Sequence, residues 1–386
     1  MGKSLLYKRY IQLFNIIDKK SIFLLGPRQT GKSTLLRTLF PSTRFIDLLE
    51  ADTFRELSSH PETLRQRLKP TEKLVIIDEI QKLPSLLDEV QLLIDRNKDL
   101  RFILTGSSAR KLKRGAANLL GGRAYFLNFH PLVSSELGGG AARILDRCNY
   151  GSLPAIIDSI VPKRDLDAYV GVYLKEEIQA EALTRSIENF SRVLNFSAHL
   201  NTEQINYTKI GNDSGVPPRT VRDYFQIFSD TLIAHILPPF QKTSKRKPVA
   251  TDKFYFFDVG VARSLARGGE LALGTPEFGK ALEHLILLEL IAYRDYNWKD
   301  SSLHYWRSQS QLEVDFLINE SIAVEVKASA RVSNQDLKGL KALSEDVSLQ
   351  RKIVVCGEKE KRIVDDIEII PYGDFLKELW DHEIVT

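Results

Sequence analysis

The sequence is poor in cysteine and has almost no excess of either charge. Two cysteines, Cys148 and Cys356, occur in 386 residues, and they lie too far apart for a metal-binding spacing. They are most simply buried thiols of a reducing cytosol, so a disulfide-stapled secreted domain is not expected. The formal net charge is +4, a mild excess that permits nucleic-acid binding but does not argue for it.

Long hydrophobic runs are also absent. No apolar stretch reaches the roughly 20 residues that a membrane-spanning helix needs, and Lys8 and Arg9 interrupt the N-terminus too early for a secretory signal. What the chain does have is an ordinary globular composition, with 43% hydrophobic and 27% charged residues. For 386 residues we expect two or three domains, no membrane segment and a cytoplasmic location.

One short segment carries more functional information than the rest of the chain. It reads Gly26-Pro27-Arg28-Gln29-Thr30-Gly31-Lys32-Ser33-Thr34, the pattern of a phosphate-binding loop. The apolar run Ile22–Leu25 predicts a buried parallel strand before the loop, and the residues after it predict a helix whose N-terminus faces the phosphates. Lys32 would reach the β- and γ-phosphates, and the Ser33 hydroxyl would bind Mg²⁺. The segment therefore predicts a nucleoside triphosphate site rather than an inert glycine-rich turn.

A second apolar run, Lys73–Ile77, predicts another buried strand, and two acids follow it. Asp78 would hold Mg²⁺ through its water shell, beside the phosphate loop. Glu79 would act as the general base that polarises the attacking water. The alternative is a helix cap, in which Asp78 accepts hydrogen bonds from backbone N–H groups.

A third strand-like run, Arg101–Thr105, completes the pattern of the first part of the chain. The polar residues at its tip, Thr105, Ser107 and Ser108, are candidates to sense the γ-phosphate, or they form a simple turn. Strands and helices alternate through about the first 140 residues, as a parallel sheet wound by helices requires. The glycines Gly138-Gly139-Gly140 would form a flexible boundary, so the expected fold class is α/β with an N-terminal parallel-sheet domain.

The middle of the chain has the pattern of a helix-turn-helix. Ile205–Phe225 reads as two helices joined by a turn at Gly215. Two later apolar segments, Leu232–Leu237 and Phe254–Phe257, would form the strands of a wing. The basic stretch between them, Gln241–Pro248, would then be a tip that contacts phosphates. In the alternative interpretation, the unit is a lid or a protein–protein module and the tip is merely solvated.

The C-terminal third predicts a helix, three strands, a helix and a strand. Charged side chains occur at four points of this frame: Glu283 on the first helix, Asp315 on the second strand, and Glu325 and Lys327 on the third. Because side chains alternate along a strand, Glu325 and Lys327 point the same way. The three carboxylates could hold Mg²⁺ while Lys327 orients or deprotonates a water for phosphodiester attack. Surface salt bridges are the alternative explanation of the same charges.

The order of these motifs resembles a widespread prokaryotic family of AAA-type ATP-binding proteins. Its members join an AAA+ module to a winged helix and to a C-terminal domain of the restriction-endonuclease-like PD-(D/E)xK superfamily. Besides the loop at 26–32, the resemblance is carried by Ile77–Lys82, Leu104–Ser108, Leu119–Arg123, Tyr173–Ile178, Phe254–Val261, Trp306-Arg307, Glu313–Phe316 and Val324–Lys327. One departure is Val314, which stands where the superfamily usually has proline before its first aspartate.

The resemblance implies ATP and Mg²⁺ as ligands, a cytoplasmic setting and a homo-oligomer that is ring-like or otherwise arranged. It also implies an arginine that completes a neighbour's ATP site, because a guanidinium suits the charge that develops on the γ-phosphate. Arg123 is the first candidate, with Arg110 and Arg114 as alternatives. Pairing of these arginines with surface acids is the competing explanation.

The resemblance further assigns domains and C-terminal site residues. It implies an AAA+ P-loop ATPase domain at 1–140, a helical lid with a winged helix-turn-helix at 141–270, and a nuclease-like domain at 271–386. Asp315, Glu325 and Lys327 match the signature positions of the nuclease superfamily. Glu283 matches the acid on its preceding helix.

Three functions are consistent with these observations. The leading expectation is an ATP-hydrolysing AAA+ protein that acts on DNA and carries a metal-dependent nuclease-like domain. The alternative is a nucleotide-dependent switch or scaffold whose C-terminal domain binds a partner or nucleic acid without cleaving it. The third is a DNA-binding regulator built around the helix-turn-helix, with ATP as a co-ligand.

Overall fold

The computed structural model describes residues 7–107, 120–138, 142–173 and 186–385. Ser108, Arg110, Arg114, Gly139, Gly140 and Leu174–Ile178, which entered the predictions above, lie outside these ranges. The chain divides into two compact units. The N-terminal unit is Lys8–Pro131 with Asp230–Ile233, and the C-terminal unit is Leu132–Ser229 and Ala234–Thr386 with the short stretch up to Tyr7. Across the described ranges, no helix combines the length and apolar character needed to cross a bilayer.

The N-terminal unit is built on a five-stranded sheet in which every pairing is parallel. Its strands are β1 (Ser21–Leu25), β2 (Arg44–Asp47), β3 (Leu74–Asp78), β4 (Arg101–Gly106) and β5 (Ala124–Asn128), in the order β2-β3-β4-β1-β5. Every residue of β1 is buried, as expected for a strand covered on both faces. The structure confirms the predicted parallel sheet.

Short helices precede the first strand of this sheet and connect its later strands. They are α1 (Leu13–Ile17), α2 (Lys32–Leu39), α3 (Ala51–Ser59), α4 (Thr63–Arg67) and α5 (Leu86–Arg96). The core beneath them joins side chains of β1, β3 and β4 to the apolar face of α5, including Phe23, Ile77, Phe102, Leu86 and Val90. Each such fully buried side chain contributes about 1.5–3 kcal/mol relative to exposure. Since the strands are parallel, the carboxyl ends of β1, β3 and β4 share one edge.

The first half of the C-terminal unit is helical. Its helices are α6 (Ser134–Leu137), α7 (Ala142–Tyr150), α8 (Pro154–Ile157), α9 (Pro162–Ala168), α10 (Ile187–Ala198), α11 (Tyr207–Ser214) and α12 (Pro218–Asp230). Gly215 follows α11 in the left-handed conformation, with φ of 68°. Two antiparallel strands come next, β6 (Ala234–Leu237) and β7 (Lys253–Phe256). The geometry matches the predicted helix, turn, helix and two strands, whereas the identity of this segment as a winged helix stays a prediction.

The basic stretch Gln241–Pro248 is not the free hairpin tip that the sequence suggests. Lys242 pairs with Glu320 at 2.6 Å, and Arg246 pairs with Glu345 at 2.8 Å. The backbone N–H of Lys245 donates to Asp346. The stretch therefore follows the surface of the C-terminal sheet, and two of its four cations neutralise acids of the same chain.

A six-stranded mixed sheet forms the last part of the C-terminal unit. Its elements are α13 (Val259–Leu265), α14 (Pro276–Tyr296), β8 (Leu303–Arg307), β9 (Glu313–Ile318), β10 (Ile322–Val326), α15 (Lys338–Ser344), β11 (Arg351–Cys356), β12 (Arg362–Val364), β13 (Ile367–Pro371) and α16 (Tyr372–Trp380). The strand order is β12-β13-β11-β10-β9-β8. The predicted order of elements holds from α14 to β11, and β12, β13 and α16 are additions that the sequence pattern did not predict.

Both cysteines are free thiols buried in the C-terminal unit, as expected. Burial raises the pKa of the Cys148 thiol to about 12, so it stays protonated at neutral pH.

Candidate functional site

The phosphate loop connects β1 to α2 through a tight backbone turn. Gly31 has φ of 95° and Gln29 has φ of 62°, both in the left-handed region. Gly26 approaches the chain after β5 so closely that a Cβ there would lie 2.1 Å from the carbonyl oxygen of Phe129. The Thr30 hydroxyl closes the loop internally by donating to the carbonyl of Pro27 at 2.9 Å. Glycine is thus required at the two positions where the pattern has it.

Lys32, the first residue of α2, turns its side chain back over this loop. Its ammonium is buried and donates to the carbonyl oxygens of Gly26 at 2.7 Å and Pro27 at 2.9 Å. These two hydrogen bonds satisfy a desolvated cation inside the loop. The oxygens of a bound phosphate chain are chemically equivalent partners for the same ammonium. Arg28 and Thr34 flank it, Arg28 within the loop and Thr34 as the third residue of α2.

The Asp78 carboxylate accepts hydrogen bonds from two hydroxyl groups at the edge of the sheet where β1, β3 and β4 end. Its Oδ2 accepts from the Ser33 hydroxyl at 2.6 Å, and its Oδ1 accepts from the Thr105 hydroxyl. The Asp78 side chain is buried, with 3% exposure. One carboxylate and one serine hydroxyl beside a phosphate loop are the hard oxygen ligands that Mg²⁺ prefers. The residues present therefore fit a magnesium ion.

Glu79 has an unusual backbone conformation at the start of the turn that follows β3. Its φ of 60° and ψ of 42° lie in the left-handed region, which costs a non-glycine residue of order 1–3 kcal/mol. Its backbone N–H donates to the Thr105 hydroxyl at 3.2 Å. The Gln81 amide donates to the Glu79 carboxylate and, at 3.1 Å, to the hydroxyl of Ser107. The predicted base thus shares one hydrogen-bonded network with two of the predicted sensor residues, Thr105 and Ser107.

Two residues of this site were missed by sequence reasoning. Gln81 had no assigned role, although it lies two positions after Glu79 in a quoted motif. Arg9 lies before the first strand and is buried, and its guanidinium donates to the carbonyls of Thr30 at 2.8 Å and His130 at 2.8 Å. Nothing in the local sequence around Arg9 points to the loop, because the contact depends on how the chain returns after β5.

Arg123 lies at the other edge of the sheet from the phosphate loop. It immediately precedes β5, whose first residue pairs in parallel register with Ser21 at the start of β1. Its guanidinium forms two hydrogen bonds with the Asp95 carboxylate, at 2.7 and 3.1 Å. The hydrogen bond from Arg123 lowers the pKa of Asp95. The structure therefore places Arg123 in a surface ion pair and not beside the loop of its own chain.

A second set of predicted residues meets in the C-terminal unit. Asp315 on β9 accepts the backbone N–H of Val326 at 2.8 Å, which brings it next to Glu325 on β10. Lys327 pairs with Glu325 at 2.5 Å. Burial raises the pKa of Asp315, and burial together with the nearby Asp315 carboxylate raises that of Glu325 well above its usual range. The two acids and the lysine are thus neighbours, as their strand positions indicate.

Glu283, the fourth predicted residue, has other partners. It accepts from the Tyr255 hydroxyl at 2.6 Å and from the buried ammonium of Lys253 at 3.1 Å. Lys253 also lies 2.5 Å from Glu313 and 3.9 Å from Asp315. Burial raises the pKa of Glu283 to about 7, against the lowering effect of Lys253. Lys253 and Tyr255 were missed, although both lie on one face of β7.

These contacts involve the residues of the predicted metal set, Glu283, Asp315 and Glu325. In the part of the chain that the structure describes, no three or more histidine, cysteine, aspartate or glutamate side chains are arranged to hold a metal ion. The physical reason is that the Lys253 ammonium lies against Glu283 and Glu313, and that Lys327 lies against Glu325. The residues present do not fit a three-carboxylate metal centre.

The sheet and the loop define the N-terminal segment as an AAA-type P-loop domain, and the comparison with family models agrees. An AAA domain model matches residues 18–138. Two further models, both described as domains of unknown function, match residues 142–272 (DUF8612) and 278–375 (DUF4143). An AAA domain suggests nucleotide-dependent activity.

Similar proteins occur in mycobacteria. The chain is 25% identical over 375 residues to the uncharacterized protein Mb2031c of Mycobacterium bovis and equally to the uncharacterized protein Rv2008c of Mycobacterium tuberculosis, covering 92% of this chain and 80% of each relative. Among solved structures, a STAND ATPase with a tetratricopeptide repeat sensor, PH0952 from Pyrococcus horikoshii, aligns at 15% identity and a TM-score of 0.21. That alignment covers 74% of this chain and about half, 48%, of the other. A TM-score this low is no evidence of a shared overall fold.

Proposed function

We propose that the chain is a Mg²⁺-dependent ATP hydrolase whose reaction takes place at the phosphate loop. The observation that carries the proposal is the hydrogen-bonded group of Ser33, Asp78 and Thr105, which joins the helix after β1 to the ends of β3 and β4. The two hydroxyl donors satisfy the buried Asp78 carboxylate. The same group provides oxygens of the kind that surround magnesium and a γ-phosphate.

Each side chain has a separate task in this reaction. Lys32 exchanges its two carbonyl partners for β- and γ-phosphate oxygens and so balances their charge. Glu79, held by Gln81, orients the attacking water and accepts its proton. The Thr105 hydroxyl donates to the Asp78 carboxylate and accepts from the backbone N–H of Glu79. In this position it would contact the γ-phosphate. Ser33 and Asp78 would hold Mg²⁺, which supplies neutralisation of the phosphate charge.

Assembly into a homo-oligomer is part of the proposal. A five-residue strand separates Arg123 from the loop edge, on the order of 15 Å at about 3.3 Å per residue. Arg123 can therefore complete only the site of another copy, after release from Asp95. We expect assembly to depend on nucleotide and Arg123→Ala to lose the turnover that assembly stimulates; assembly-stimulated turnover unchanged in Arg123→Ala would contradict this step.

The test of the proposal is steady-state ATP hydrolysis by the full chain. We expect turnover that requires Mg²⁺ and is abolished in Lys32→Ala, because the cation that binds the phosphates is gone. Lys19→Ala is the matched control, since Lys19 is an exposed lysine of the same unit. Equal turnover in wild type and Lys32→Ala would contradict the proposal.

DNA is the proposed partner, and the helix-turn-helix segment is the proposed contact. A cavity of about 610 Å³ opens between the N-terminal ends of α11 and α12, lined by Tyr207, Thr208, Arg219 and Arg222 among others. The Arg222 guanidinium lies 5.0 Å from the centre of the Tyr207 ring. Two arginines and an aromatic ring offer phosphate contacts and base stacking. The chain would then act as a nucleotide-dependent switch on DNA.

A salt titration of DNA binding tests this partner. Replacing both Arg219 and Arg222 by alanine should weaken binding and reduce the slope of log K against log salt, by about one for each phosphate that the variant no longer neutralises. Equal affinity and slope in wild type and the double variant would exclude this surface.

Metal-dependent DNA cleavage is the competing activity. The closeness of Asp315, Glu325 and Lys327 favours it, whereas the engagement of Glu283 by Lys253 opposes it. A cleavage assay on linear, circular and single-stranded DNA with Mg²⁺ or Mn²⁺ separates the two. Cleavage that disappears in Lys327→Ala would establish a nuclease, and we expect none.

A further inference from the structure

Lys253 is a buried cation that the ATP reaction does not use. It is 4% exposed, and its ammonium lies 3.1 Å from Glu283, 2.5 Å from Glu313 and 3.9 Å from Asp315. These acids belong to α14 and β9, whereas Lys253 begins β7. A buried lysine is costly unless carboxylates surround it, and here three do.

The position of this ammonium matters because two of the acids around it, Glu283 and Asp315, belong to the set that the family resemblance assigns to magnesium. A divalent ion needs oxygens about 2.0–2.6 Å away, all directed at one point. At this point Glu283 is directed at Lys253 and Tyr255, and Glu325 at Lys327. A dication beside two ammonium groups would face two like charges at short range.

We propose that Lys253 is the resident cation of this acid cluster and stands in the place of a divalent metal. The cluster of Glu283, Glu313 and Asp315 thereby joins β7 to the C-terminal sheet through a buried ion network. The wild-type protein binds no divalent ion through Asp315. This inference is independent of ATP hydrolysis at the phosphate loop, so either can fail without the other.

The experiment is a Mn²⁺ titration of nucleotide-free, full-length protein, followed by electron paramagnetic resonance and by thermal unfolding. Wild type and Asp315→Asn should bind the same amount of Mn²⁺. Lys253→Met keeps a long, unbranched side chain, one atom shorter than that of lysine, and removes the charge. It should melt at a lower temperature than wild type, bind one additional Mn²⁺ per chain and regain melting temperature when Mn²⁺ is added.

Two variants make these results specific. Adding Asp315→Asn to Lys253→Met should remove both the extra Mn²⁺ and the thermal rescue. Lys280→Met is the matched control, because Lys280 is an exposed lysine of α14 whose partner is Glu203. It should behave as wild type in both measurements.

Two outcomes would overturn the proposal. One is Mn²⁺ binding by wild type that is lost in Asp315→Asn, which would show a resident metal site. The other is a folded Lys253→Met that binds no more Mn²⁺ than wild type. If Lys253→Met does not fold, the comparison of wild type with Asp315→Asn still decides, and the charge-conserving Lys253→Arg should fold and resemble wild type.

Discussion

The Glu79 carboxylate is held in place by its neighbour Gln81. The Gln81 amide bridges Glu79 and Ser107, while the backbone of Glu79 is in a strained left-handed conformation. Strain of this kind persists where the surrounding contacts over-determine it, and such places are often functional. We infer that Gln81 is a positioning residue that fixes the direction of the base.

Replacement of Gln81 by alanine should lower kcat for ATP about tenfold and leave KM nearly unchanged, because Gln81 holds Glu79 and is assigned no contact with the nucleotide. Steady-state kinetics against ATP concentration measure both parameters. Gln66→Ala, at an exposed position of α4, is the control. In a Glu79→Gln background the Gln81 substitution should have no further effect. An additive loss there would show that Gln81 acts on something other than Glu79.

The sequence predicts candidate site residues wherever the pattern that marks them is local. The loop residues, Asp78 and Glu79 follow directly from a phosphate-loop motif and from acids at a strand end. Arg9 and Lys253 were missed because their partners are distant in sequence: Arg9 contacts His130, and Lys253 contacts Glu313. A buried cation is recognisable only once the acids around it are placed.

The conformation of the loop between β1 and α2 depends on the close approach of Gly26 to Phe129, in the chain after β5. Because a Cβ at position 26 would meet a backbone carbonyl at 2.1 Å, no side-chain rotation relieves the clash. Gly26→Ala should therefore shift the loop, weaken nucleotide binding strongly and lower the free energy of unfolding by about 1–3 kcal/mol. Fluorescent-nucleotide binding and urea denaturation measure the two effects.

Gly269→Ala is the control for this prediction, because a Cβ there meets nothing within 4 Å. It should leave both quantities near the wild-type values. Nucleotide affinity in Gly26→Ala equal to that of the control would mean that the loop does not need its close approach to Phe129.

The helices and strands were more predictable from the sequence than the contacts that they make with distant parts of the chain. The parallel strands and the helix-turn-helix geometry follow from apolar runs and from the turn at Gly215. The basic stretch Gln241–Pro248 was misplaced, because charge alone does not distinguish a solvated tip from a segment paired with acids such as Glu320 and Glu345. For the same reason, the sequence did not predict the Lys253 ammonium beside Glu283.

At the scale of the whole molecule, a buried histidine makes the stability of the C-terminal unit depend on pH. His284 contacts the carbonyl of Phe256 through Nε2 at 2.6 Å and the Asn201 amide through Nδ1 at 3.1 Å, so its neutral form is satisfied. Burial lowers the pKa of His284 to about 4 from the ordinary 6.5. The unfolded chain therefore binds a proton between these values that the folded chain does not.

Stability from His284 is present above pH 6.5 and is lost as the pH falls towards 4, by up to about 3 kcal/mol. Asp258 and Glu283 act in the opposite direction, since burial raises the pKa of Asp258 to about 6 and that of Glu283 to about 7. Because Asp258 and Glu283 are present in both wild type and His284→Gln, their contribution to the pH dependence of stability cancels when the two proteins are compared. Between pH 7 and pH 5, wild type should lose more free energy of unfolding in urea than the variant. Parallel curves would contradict the assignment.

We propose that the phosphate loop and the acids after β3 form one ATP-hydrolysing site. The most direct measurement compares ATP binding with ATP turnover in Glu79→Gln. Removal of a general base typically costs roughly 10²–10⁴-fold in rate, so turnover should fall by about that factor. ATP affinity should stay close to that of wild type, because Lys32, Ser33 and Asp78 are intact. Wild-type turnover in Glu79→Gln would contradict the claim.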